Sequence, residues 1–402
     1  MSWDYLKAED YCDSVRDGTH DTPKPVESGY KLVTGKHIKN GTIDYSDAYF
    51  ISEKDYEAIN QRSLVEKWDV LMSMIGTVGE VAVVKETPNY AIKNVALFKC
   101  GGSELKGKWL KYYLSSPNAQ GKMRGGMKGS SQQFLSLKQL RELSIPVTTE
   151  HCMQKIVDTL SNYDNLIENN QKQIKLLEEA AQRLYKEWFV DLHFPGYESA
   201  TITDGVPNGW EKGQAQDFFD ITIGKTPPRA ESQWFTTSEE GVPWISISDM
   251  GNSDAFIFTT SECLTSDAIQ KHNVKTIPKG TVLLSFKLTV GRVSIASTEM
   301  CTNEAIAHFK ISDDNTREYL YCYLKNFHYD SLGSTSSISK AINSKIVKAM
   351  PIVLPDDNLL ENFSKVVTPL FEQIFVKQKE IIKLTEARDR LLPKLMSGEI
   401  EV

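Results

Sequence analysis

The chain has 402 residues, of which 40% are hydrophobic and 25% are charged, and its formal net charge is -7. A chain of this size can bury two or more ordinary cores, and its negative charge argues against a uniformly basic nucleic-acid binder. The longest apolar stretch, residues 70–84, is interrupted by serine, glycine, threonine and glutamate and is too broken to span a membrane. The acidic N-terminus does not resemble a signal peptide, and the six scattered cysteines form no C-x-x-C pair. These features predict a cytoplasmic protein with reduced thiols.

Short sequence patterns recur along the chain at a nearly constant spacing. "GYKLV" at 29–33 is followed 212 residues later by "GVPWI" at 241–245, and the same spacing relates the "TVG" of 77–79 to that of 289–291. Each "TVG" leads into alternating β-branched residues, which indicate a strand. "KNVALFK" and "NEAIAHFK" are 209 apart at their asparagines, and "LSIPV" at 143–147 precedes "MPIVL" at 350–354 by 207. The small drift in spacing predicts two copies of one unit.

Each copy ends in a long stretch of helical, heptad-like periodicity. Apolar residues follow each other at alternating steps of four and three, and we call this row of positions the seam. Adding 207 to each seam position of the first copy gives the seam of the second copy, which is apolar except at Arg388. One further position in the seam is polar in both copies, Asn170 in the first and Lys377 in the second. A polar residue at such a position commonly fixes the register of a coiled coil. In an antiparallel pair, these two central residues are expected to meet. Two amphipathic helices on separate cores are the alternative. The predicted core of the helix pair is Ile167, Asn170, Ile174, Leu177, Ile374, Lys377, Ile381 and Leu384.

Positive charge is concentrated in the C-terminal half of each copy. Residues 91–141 contain ten lysines or arginines with Glu104 as the one acid, and residues 271–298 and 331–350 contain five and three cations with no acid. Such a distribution is expected if one face of each unit meets phosphate, whereas solvated surface lysines are the simpler explanation for any single residue.

One segment, "GKMRGGMKGSSQQF" at 121–134, goes beyond scattered charge. Its glycines allow a close approach of the backbone, its cations can neutralise phosphates, and its serines and glutamines can hydrogen-bond to bases. "LGSTSSISK" at 332–340 is its counterpart, and a flexible linker is the alternative for both. The predicted DNA-binding residues come from these two segments, from "TGKHIKNG", where His37 is expected at the surface or facing DNA, and from the basic stretches 91–141 and 271–298. They are Lys36, His37, Lys39, Lys93, Lys122, Arg124, Lys128, Ser130, Ser131, Gln132, Gln133, Lys287, Arg292, Ser334, Ser336, Ser337 and Lys340.

Catalytic signatures are missing from the sequence. There is no D-P-P-Y or N-P-P-F tetrapeptide of an amino-methyltransferase, and "GSELKGKW" has Trp109 where a phosphate-binding P-loop needs serine or threonine. No histidine has a second histidine or a cysteine at metal-ligand spacing, so no catalytic residue and no metal site is predicted. A nuclease built from dispersed carboxylates has no such motif, and it stays open as an alternative.

The closing "RDRLLPKLMSGEI" at 388–400, "RLYKEWFVDLHFPG" at 183–196, "PNGWE" at 207–211 and "GKTPP" at 224–228 resemble the specificity subunit of type I restriction-modification systems. The resemblance covers essentially the whole chain, including the order recognition domain, long helix, recognition domain, long helix. It implies an α+β fold with two tandem α/β target-recognition domains. The two long helices would pack as an antiparallel coiled coil with pseudo-twofold symmetry, and this pair would act as a spacer.

The resemblance also implies a function and partners. The prokaryotic chain would be a non-catalytic reader of double-stranded DNA with a split site, binding no cofactor itself. Two methyltransferase subunits would bring S-adenosylmethionine for adenine methylation, and a restriction motor subunit would use ATP and Mg²⁺. The expected domains are 1–147 and 207–354 for recognition, 148–192 and 355–402 for the spacer helices with the tail, and 193–206 for a linker. A DNA endonuclease or methyltransferase with its own dispersed site, and a scaffold without specific DNA binding, are the competing functions.

Overall fold

In a computed structural model, the protein is described over residues 3–126, 134–203, 205–238, 240–332 and 342–401. Its contacts divide it into two compact units. The N-terminal unit is Met1–Leu166 with Leu384–Val402, and the C-terminal unit is Ile167–Lys383. Each unit therefore contains one sheet-based domain and a part of both long helices.

Over its described residues, the N-terminal domain is built on short strands and five α-helices. Its strands are β1 (Asp4–Lys7), β2 (Ser14–Asp17), β3 (Tyr30–Val33), β4 (Ile38–Lys39), β5 (Thr42–Ile43), β6 (Phe50–Ile51), β7 (Val70–Ser73), β8 (Val81–Val83), β9 (Tyr90–Ile92), β10 (Val95–Lys99) and β11 (Ser144–Val147). Its helices are α1 (Ala8–Tyr11), α2 (Glu53–Ser63), α3 (Glu104–Ser115), α4 (Pro117–Gly126) and α5 (Leu137–Arg141), and the first long helix, α6 (Glu150–Tyr185), follows.

The C-terminal domain has the same kind of construction. Its strands are β12 (Ile202–Thr203), β13 (Val206–Pro207), β14 (Glu211–Gln214), β15 (Asp220–Ile223), β16 (Phe235–Thr236), β17 (Val242–Ile245), β18 (Phe256–Ile257), β19 (Glu262–Leu264), β20 (Val282–Ser285), β21 (Val293–Ala296), β22 (Cys301–Thr302), β23 (Ile306–Lys310) and β24 (Pro351–Leu354). Its helices are α7 (Ala215–Phe218), α8 (Ile247–Gly251), α9 (Ser266–His272), α10 (Arg317–Asn326) and α11 (Ser344–Lys348), and the second long helix is α12 (Asp357–Ser397).

The strand order shows that the two domains are copies of one topology. The main sheet of the first domain has the order β2-β10-β7-β8, and that of the second has β15-β23-β20-β21 with β18 added at the edge. A second sheet repeats as β6-β3-β9 and β19-β17-β22, each with one parallel pair, β3 with β9 and β17 with β22. In both copies, a strand near the start of the domain pairs antiparallel with the last strand, β1 with β11 and β14 with β24. The predicted repeat is confirmed.

The strands β7, β8 and β20 of the two main sheets are mostly apolar and are buried along their whole length, as expected of strands with both faces covered. All four residues of β7 and of β20 are buried, as are the three residues of β8. In the N-terminal unit, Trp109 of α3 shares a buried cluster with Ile156 and Leu160 of α6 and with Leu392 and Leu395 of α12. The long helices are therefore part of the domain core.

The two long helices run antiparallel within each unit. In the C-terminal unit, the Trp188 ring lies 5.7 Å from Phe363, whereas Asn170, earlier in the first helix, bonds to Glu380, later in the second. Every predicted seam position is at least partly buried, as the heptad pattern requires. The fully buried members are Ile156, Leu160, Ile167, Ile174, Ala181, Phe363, Val367, Ile374 and Leu395. Together with the mixed helix and sheet content, this confirms the predicted fold class.

The first long helix ends in a cluster of aromatic rings. The segment Lys186–Val190 is a π-helical turn, and Phe189 there lies 4.9 Å from both Tyr319 and Phe363, centroid to centroid. Edge-to-face pairs of this kind add to the stabilisation from burial. The "RLYKEWFV" motif thus joins the end of α6 to α10 and α12 within the C-terminal unit.

Candidate nucleic-acid interface

The repeated "TVG" forms a tight turn at the end of β7, which we call the N-terminal turn (residues 73–80). Ser73 holds it with both its side chain and its backbone. Its hydroxyl donates to the Thr77 carbonyl at 2.5 Å and accepts from the Glu80 amide at 2.9 Å, while its carbonyl accepts from the Gly79 amide at 3.0 Å. Gly79 has a φ of +96°, which glycine adopts without strain.

The C-terminal turn (residues 285–292) repeats this arrangement bond for bond. Ser285 donates to the Thr289 carbonyl at 2.5 Å and accepts from the Arg292 amide at 3.0 Å, and its carbonyl accepts from the Gly291 amide at 2.9 Å. Gly291 has a φ of +90°. The shared tripeptide is therefore a turn that connects the two central strands in each domain.

The predicted basic loop of the first copy is attached to the N-terminal turn at both of its ends. Before the loop, the Gln120 amide donates to the Gly79 carbonyl at 2.8 Å. After it, Phe134 pairs with Ile75 of the turn in an isolated antiparallel bridge. Lys122 and Arg124 lie on α4 with exposed side chains. Lys128, Ser130, Ser131, Gln132 and Gln133 lie outside the described residues.

The second copy brings the corresponding segments together in a different way. A short 3₁₀ helix, Tyr329–Leu332, precedes the predicted polar loop, and the Tyr329 ring lies against the C-terminal turn, where a Cβ added at Gly291 would be 3.1 Å from it. The Tyr329 hydroxyl donates to the Leu324 carbonyl at 2.7 Å, which holds the ring in place. Ser334, Ser336, Ser337 and Lys340 lie outside the part of the chain that the structure describes.

His37 does not lie at the surface, as its position in "TGKHIKNG" suggested. Its side chain is 2% exposed, and its Nδ1 accepts a hydrogen bond from the Thr34 amide at 2.8 Å. In the second copy, Asp249 stands 212 residues later and accepts from the Ser246 amide at the same distance. Both residues close the N-terminus of a short helix, a role that requires an acceptor facing inward. Burial and the nearby Lys36 lower the pKa of His37, although Asp47 acts in the opposite direction. The lowered pKa favours the neutral form of the imidazole.

The other candidates near the N-terminal turn differ in how available they are. Lys36 is exposed but bonds to Asp47 at 2.8 Å, and Lys93 bonds to the Thr22 hydroxyl. Lys39 is exposed on β4, beside the turn residue Asn40, whose amide donates to Glu80 at 3.2 Å. The "TGKHIKNG" segment and the N-terminal turn are thus in direct contact.

The concentration of positive charge in 91–141 is partly neutralised by acidic residues. Lys99 is bonded to Asp69, which is fully buried, and to Glu66. Four other cations of the segment have acidic partners within 4.0 Å. These are Lys106 with Asp13, Lys108 with Glu104, Lys111 with Asp164, and Lys138 with Glu142. The cations left for phosphate are therefore fewer than the sequence indicates, and the exposed Lys122 and Arg124 are the strongest candidates.

In the second copy, the two predicted cations of the C-terminal turn, Lys287 and Arg292, differ in their surroundings. Lys287 is exposed at the tip of the turn, with its ammonium 5.6 Å from the ring centre of the buried Phe286. Arg292 donates to the Ile247 carbonyl and packs on Gly251, so it joins the turn to α8. Its guanidinium therefore has a structural partner, whereas the ammonium of Lys287 is placed to meet an anion.

The central polar residues of the helix pair are not bonded in the predicted way. Asn170 is buried and donates to Glu380 at 3.1 Å. Glu380 lies about one helical turn beyond Lys377, so the predicted pairing of Asn170 with Lys377 was wrong by one turn. Near the centre of the second helix, the buried Gln378 exchanges two hydrogen bonds between its side-chain amide and the backbone of Phe256, at 3.0 and 3.1 Å. A side-chain amide can do this because it has both a donor and an acceptor. Ile167 and Ile174 are buried in α6, as is Ile374 in α12, and Leu177, Ile381 and Leu384 are partly buried.

Sequence reasoning missed three residues of this region: Gln120, Tyr329 and Leu288. Gln120 and Tyr329 each stand a few residues before a Gly/Ser-rich loop, but nothing in their type indicates that they contact the repeated turn. Leu288 lies in "FKLTV", where apolar and polar residues alternate as in a strand with one buried face. In the structure its side chain is 93% exposed at the tip of the C-terminal turn.

The described residues do not suggest a metal or nucleotide site. In the ranges that the structure covers, no three histidine, cysteine, aspartate or glutamate residues are grouped so as to hold a metal ion. The "GSELKGKW" segment forms the first half of α3 and the residues just before it, and the Trp109 indole donates to the Pro146 carbonyl at 2.8 Å from a fully buried position. No described helix is long and apolar enough to cross a membrane.

Two segments of the chain, residues 24–179 and 207–386, match the family described as "Type I restriction modification DNA specificity domain". The MjaIX specificity subunit of a type I restriction enzyme from Methanocaldococcus jannaschii is 27% identical, covering 100% of this chain and 94% of that protein. The HindI specificity subunit from Haemophilus influenzae is 26% identical, covering 66% of this chain and 71% of that protein. The S subunit of a type I restriction-modification system from M. genitalium has the same fold, with a TM-score of 0.56 at 16% identity over 98% of this chain and 96% of that one.

Proposed function

The chain belongs to the family of type I restriction-modification DNA specificity domains, and we propose that it selects the DNA site at which a multi-subunit adenine methyltransferase acts. In this proposal, each domain reads one half of a split site in double-stranded DNA, and the antiparallel helices set the distance between the halves. The observation that carries the proposal is the duplicated turn, because one chain then presents two equivalent surfaces formed by different side chains.

The differences between the two surfaces support the reading of two different half-sequences. The N-terminal turn is bordered by the basic segment that carries Lys122 and Arg124, and by Lys39 on the neighbouring hairpin. The C-terminal turn instead exposes Lys287 and Leu288. Cations fix a protein on the phosphate backbone, whereas side chains that reach base edges discriminate sequence. Equivalent backbones with unlike side chains suit two related but distinct tasks.

The proposal leaves catalysis and cofactors to partner subunits. Two methyltransferase subunits would bind S-adenosylmethionine and dock on the two copies, and a restriction subunit that uses ATP and Mg²⁺ would join for cleavage. Such a complex works on DNA in the prokaryotic cytoplasm. The duplicated architecture offers two similar docking faces to two identical partners.

The test is a comparison of the isolated chain with its complex. The purified chain, and the chain co-purified with its modification subunit, are incubated with DNA and S-adenosylmethionine, and methylated adenines are mapped by sequencing. We expect methylation by the complex alone, at a two-part sequence with a constant gap. Methylation or cleavage by the isolated chain would favour the competing enzyme function, and binding without any sequence preference would favour a scaffold.

A further inference from the structure

Leu288 is an exposed apolar residue in a backbone conformation that leucine disfavours. Its side chain is 93% exposed, and its φ is +61°, in the left-handed region. The equivalent residue of the N-terminal turn, 212 positions earlier, is Gly76, with a φ of +79°. Holding a non-glycine residue there costs on the order of 1–2 kcal/mol. The second copy therefore keeps a large side chain where folding alone would favour glycine.

The base of the C-terminal turn is fixed, so the leucine projects from a defined position. Ser285 bonds to Thr289 and Arg292, as described above, and the buried Phe286 donates its amide to the Ala305 carbonyl at 2.9 Å. On the other side, the Tyr329 ring packs on Gly291. The four residues between these supports, Lys287 to Val290, are all exposed.

The surroundings of Leu288 match those of an apolar base contact. Lys287 precedes it with an exposed ammonium, and Val290, 36% exposed, extends the apolar surface of the tip. A two-stranded ribbon such as β20–β21 fits the major groove of B-DNA, where thymine presents its C5-methyl group to apolar side chains. Strain that is kept at an exposed position is typical of functional sites.

We propose that Leu288 contacts a thymine methyl group in the half-sequence read by the C-terminal domain. This inference rests on the proposed function and adds to it one residue and one base. A half-sequence that is methylated on adenine contains at least one A·T pair, so a thymine is available. The N-terminal domain, with Gly76 at the same place, would lack this contact.

The experiment pairs a change in the protein with a change in the DNA. Duplexes carrying the sites mapped by methylation sequencing are prepared with each thymine replaced in turn by deoxyuridine, which removes only the methyl group. The complete complex with its modification subunits is made with wild-type chain, with Leu288→Gly and with Leu288→Asn. Glycine stands at this position in the first copy and asparagine tolerates a positive φ, so both variants are expected to fold.

At one thymine of one half-sequence, we expect deoxyuridine to weaken binding of the wild-type complex about fourfold, the equivalent of one buried methyl at ~0.8 kcal/mol. The same replacement should have no effect on the Leu288→Gly and Leu288→Asn complexes. Equal effects on wild type and variants at every thymine would overturn the inference while leaving the proposed function intact. If the wild-type complex does not prefer its mapped site over a scrambled duplex, the proposed function itself fails.

Discussion

Asp164 on the first long helix accepts a hydrogen bond from Arg388 on the second, with 2.8 Å between Oδ1 and Nη1, inside the N-terminal unit. Its other oxygen accepts from Lys111 of α3 at 2.7 Å and from the Tyr112 hydroxyl at 2.8 Å. Arg388 was the one polar exception in the predicted seam. The exception is explained by this carboxylate, which binds both helices to the recognition domain.

The C-terminal unit has no ion pair at the equivalent positions. The spacing of 207 places Phe371 at the position of Asp164 and the fully buried Ala181 at that of Arg388. Aligning the buried leucines of α3 and α10 places Tyr321 at the position of Lys111. The rings of Tyr321 and Phe371 lie 5.1 Å apart, edge to face. An ion pair in one copy is thus replaced by an aromatic pair in the other.

We predict that Asp164→Asn destabilises the N-terminal unit by about 2 kcal/mol. The amide keeps the size of the side chain but leaves Lys111 without its anion and Arg388 with Asp389 as its remaining acidic partner. Partial exposure reduces the cost below that of a fully buried pair. The matched control is Glu361→Gln, which removes an exposed ion pair of the same 2.8 Å length and should cost less than about 0.5 kcal/mol. Urea denaturation measures both, and equal losses would contradict the structural role of Asp164.

A second prediction concerns acid stability and His308. This residue is fully buried in β23, with its Nε2 2.6 Å from the Thr302 hydroxyl and its Nδ1 3.0 Å from the Thr222 hydroxyl. Burial, assisted by Lys310, lowers its pKa from 6.5 to about 4. Between about pH 6.5 and pH 4, the histidine is protonated in the unfolded chain but neutral in the folded chain. The free energy of unfolding therefore falls by roughly 3 kcal/mol as the pH drops through this range.

Urea denaturation of wild type and His308→Gln at pH 7, 6, 5 and 4.5 tests this prediction. Glutamine can hydrogen-bond to a threonine hydroxyl but does not titrate, so the variant should lose less stability over this range than wild type does. Parallel curves for wild type and His308→Gln would show that His308 is not the titrating group.

The basic segment provides a third prediction. Replacing Lys122, Arg124 and Lys128 together with alanine should flatten the plot of log affinity against log salt by up to about three units, since each neutralised phosphate contributes roughly 0.9. Lys365→Ala with Arg390→Ala removes two cations that already pair with glutamates on their own helix and should leave the slope unchanged. An unaltered slope in the triple variant would show that these three cations do not contact phosphates.

The adjacent glutamines allow a separate measurement on the same segment. If Gln132 or Gln133 reads a base edge, changing it to alanine should alter which bases are preferred without changing the salt dependence. Methylation mapping with each variant gives the preferred sequence directly. An unchanged sequence preference in both variants would leave base reading to other residues.

The helix pair is predicted to act as the ruler between the half-sites. Inserting one heptad into each helix beside Asn170 and Glu380 preserves the seam and lengthens the pair by roughly 10 Å, at 1.5 Å per residue. The gap between the methylated half-sequences should then grow by about three base pairs, at roughly 3.4 Å each. Genome-wide methylation mapping reads this out, and an active variant that keeps the original gap would show that the helices do not set it.

The repeat and the seams could be predicted because their signals are periodic and local. The spacing of 212 that relates the two "TVG" tripeptides also relates Ser73 to Ser285, and the heptad pattern identified buried positions such as Ile174 and Ile374. A residue that breaks the pattern, Arg388, was visible as an exception, but its partner was not. Ion pairs between elements depend on tertiary contacts, which leave no regular spacing in the sequence.

The candidate interface was harder to predict because residue type does not fix a side chain's direction. His37 looked suited to the surface, yet it points inward as a helix cap, and the basic run containing Lys99 and Lys111 finds acids elsewhere in the chain. Leu288 is apolar, yet it is exposed, because it stands at the tip of a turn. Burial and exposure of single residues in turns follow from the fold as a whole.

The two recognition domains are attached to the long helices by different residues, an ion pair in one copy and an aromatic pair in the other. This difference also limits how sequence specificity can evolve by exchange of recognition domains. A recognition domain transplanted into the N-terminal position must bring a cation at position 111, or Asp164 and Arg388 are left without the third member of their network. A domain with tyrosine there, like the C-terminal one with Tyr321, fits the helix surface around Phe371 instead. We therefore expect each half of the chain to accept a foreign recognition domain when the helix equivalent to α3 or α10 carries a matching residue at this contact, whatever the loops at its repeated turn.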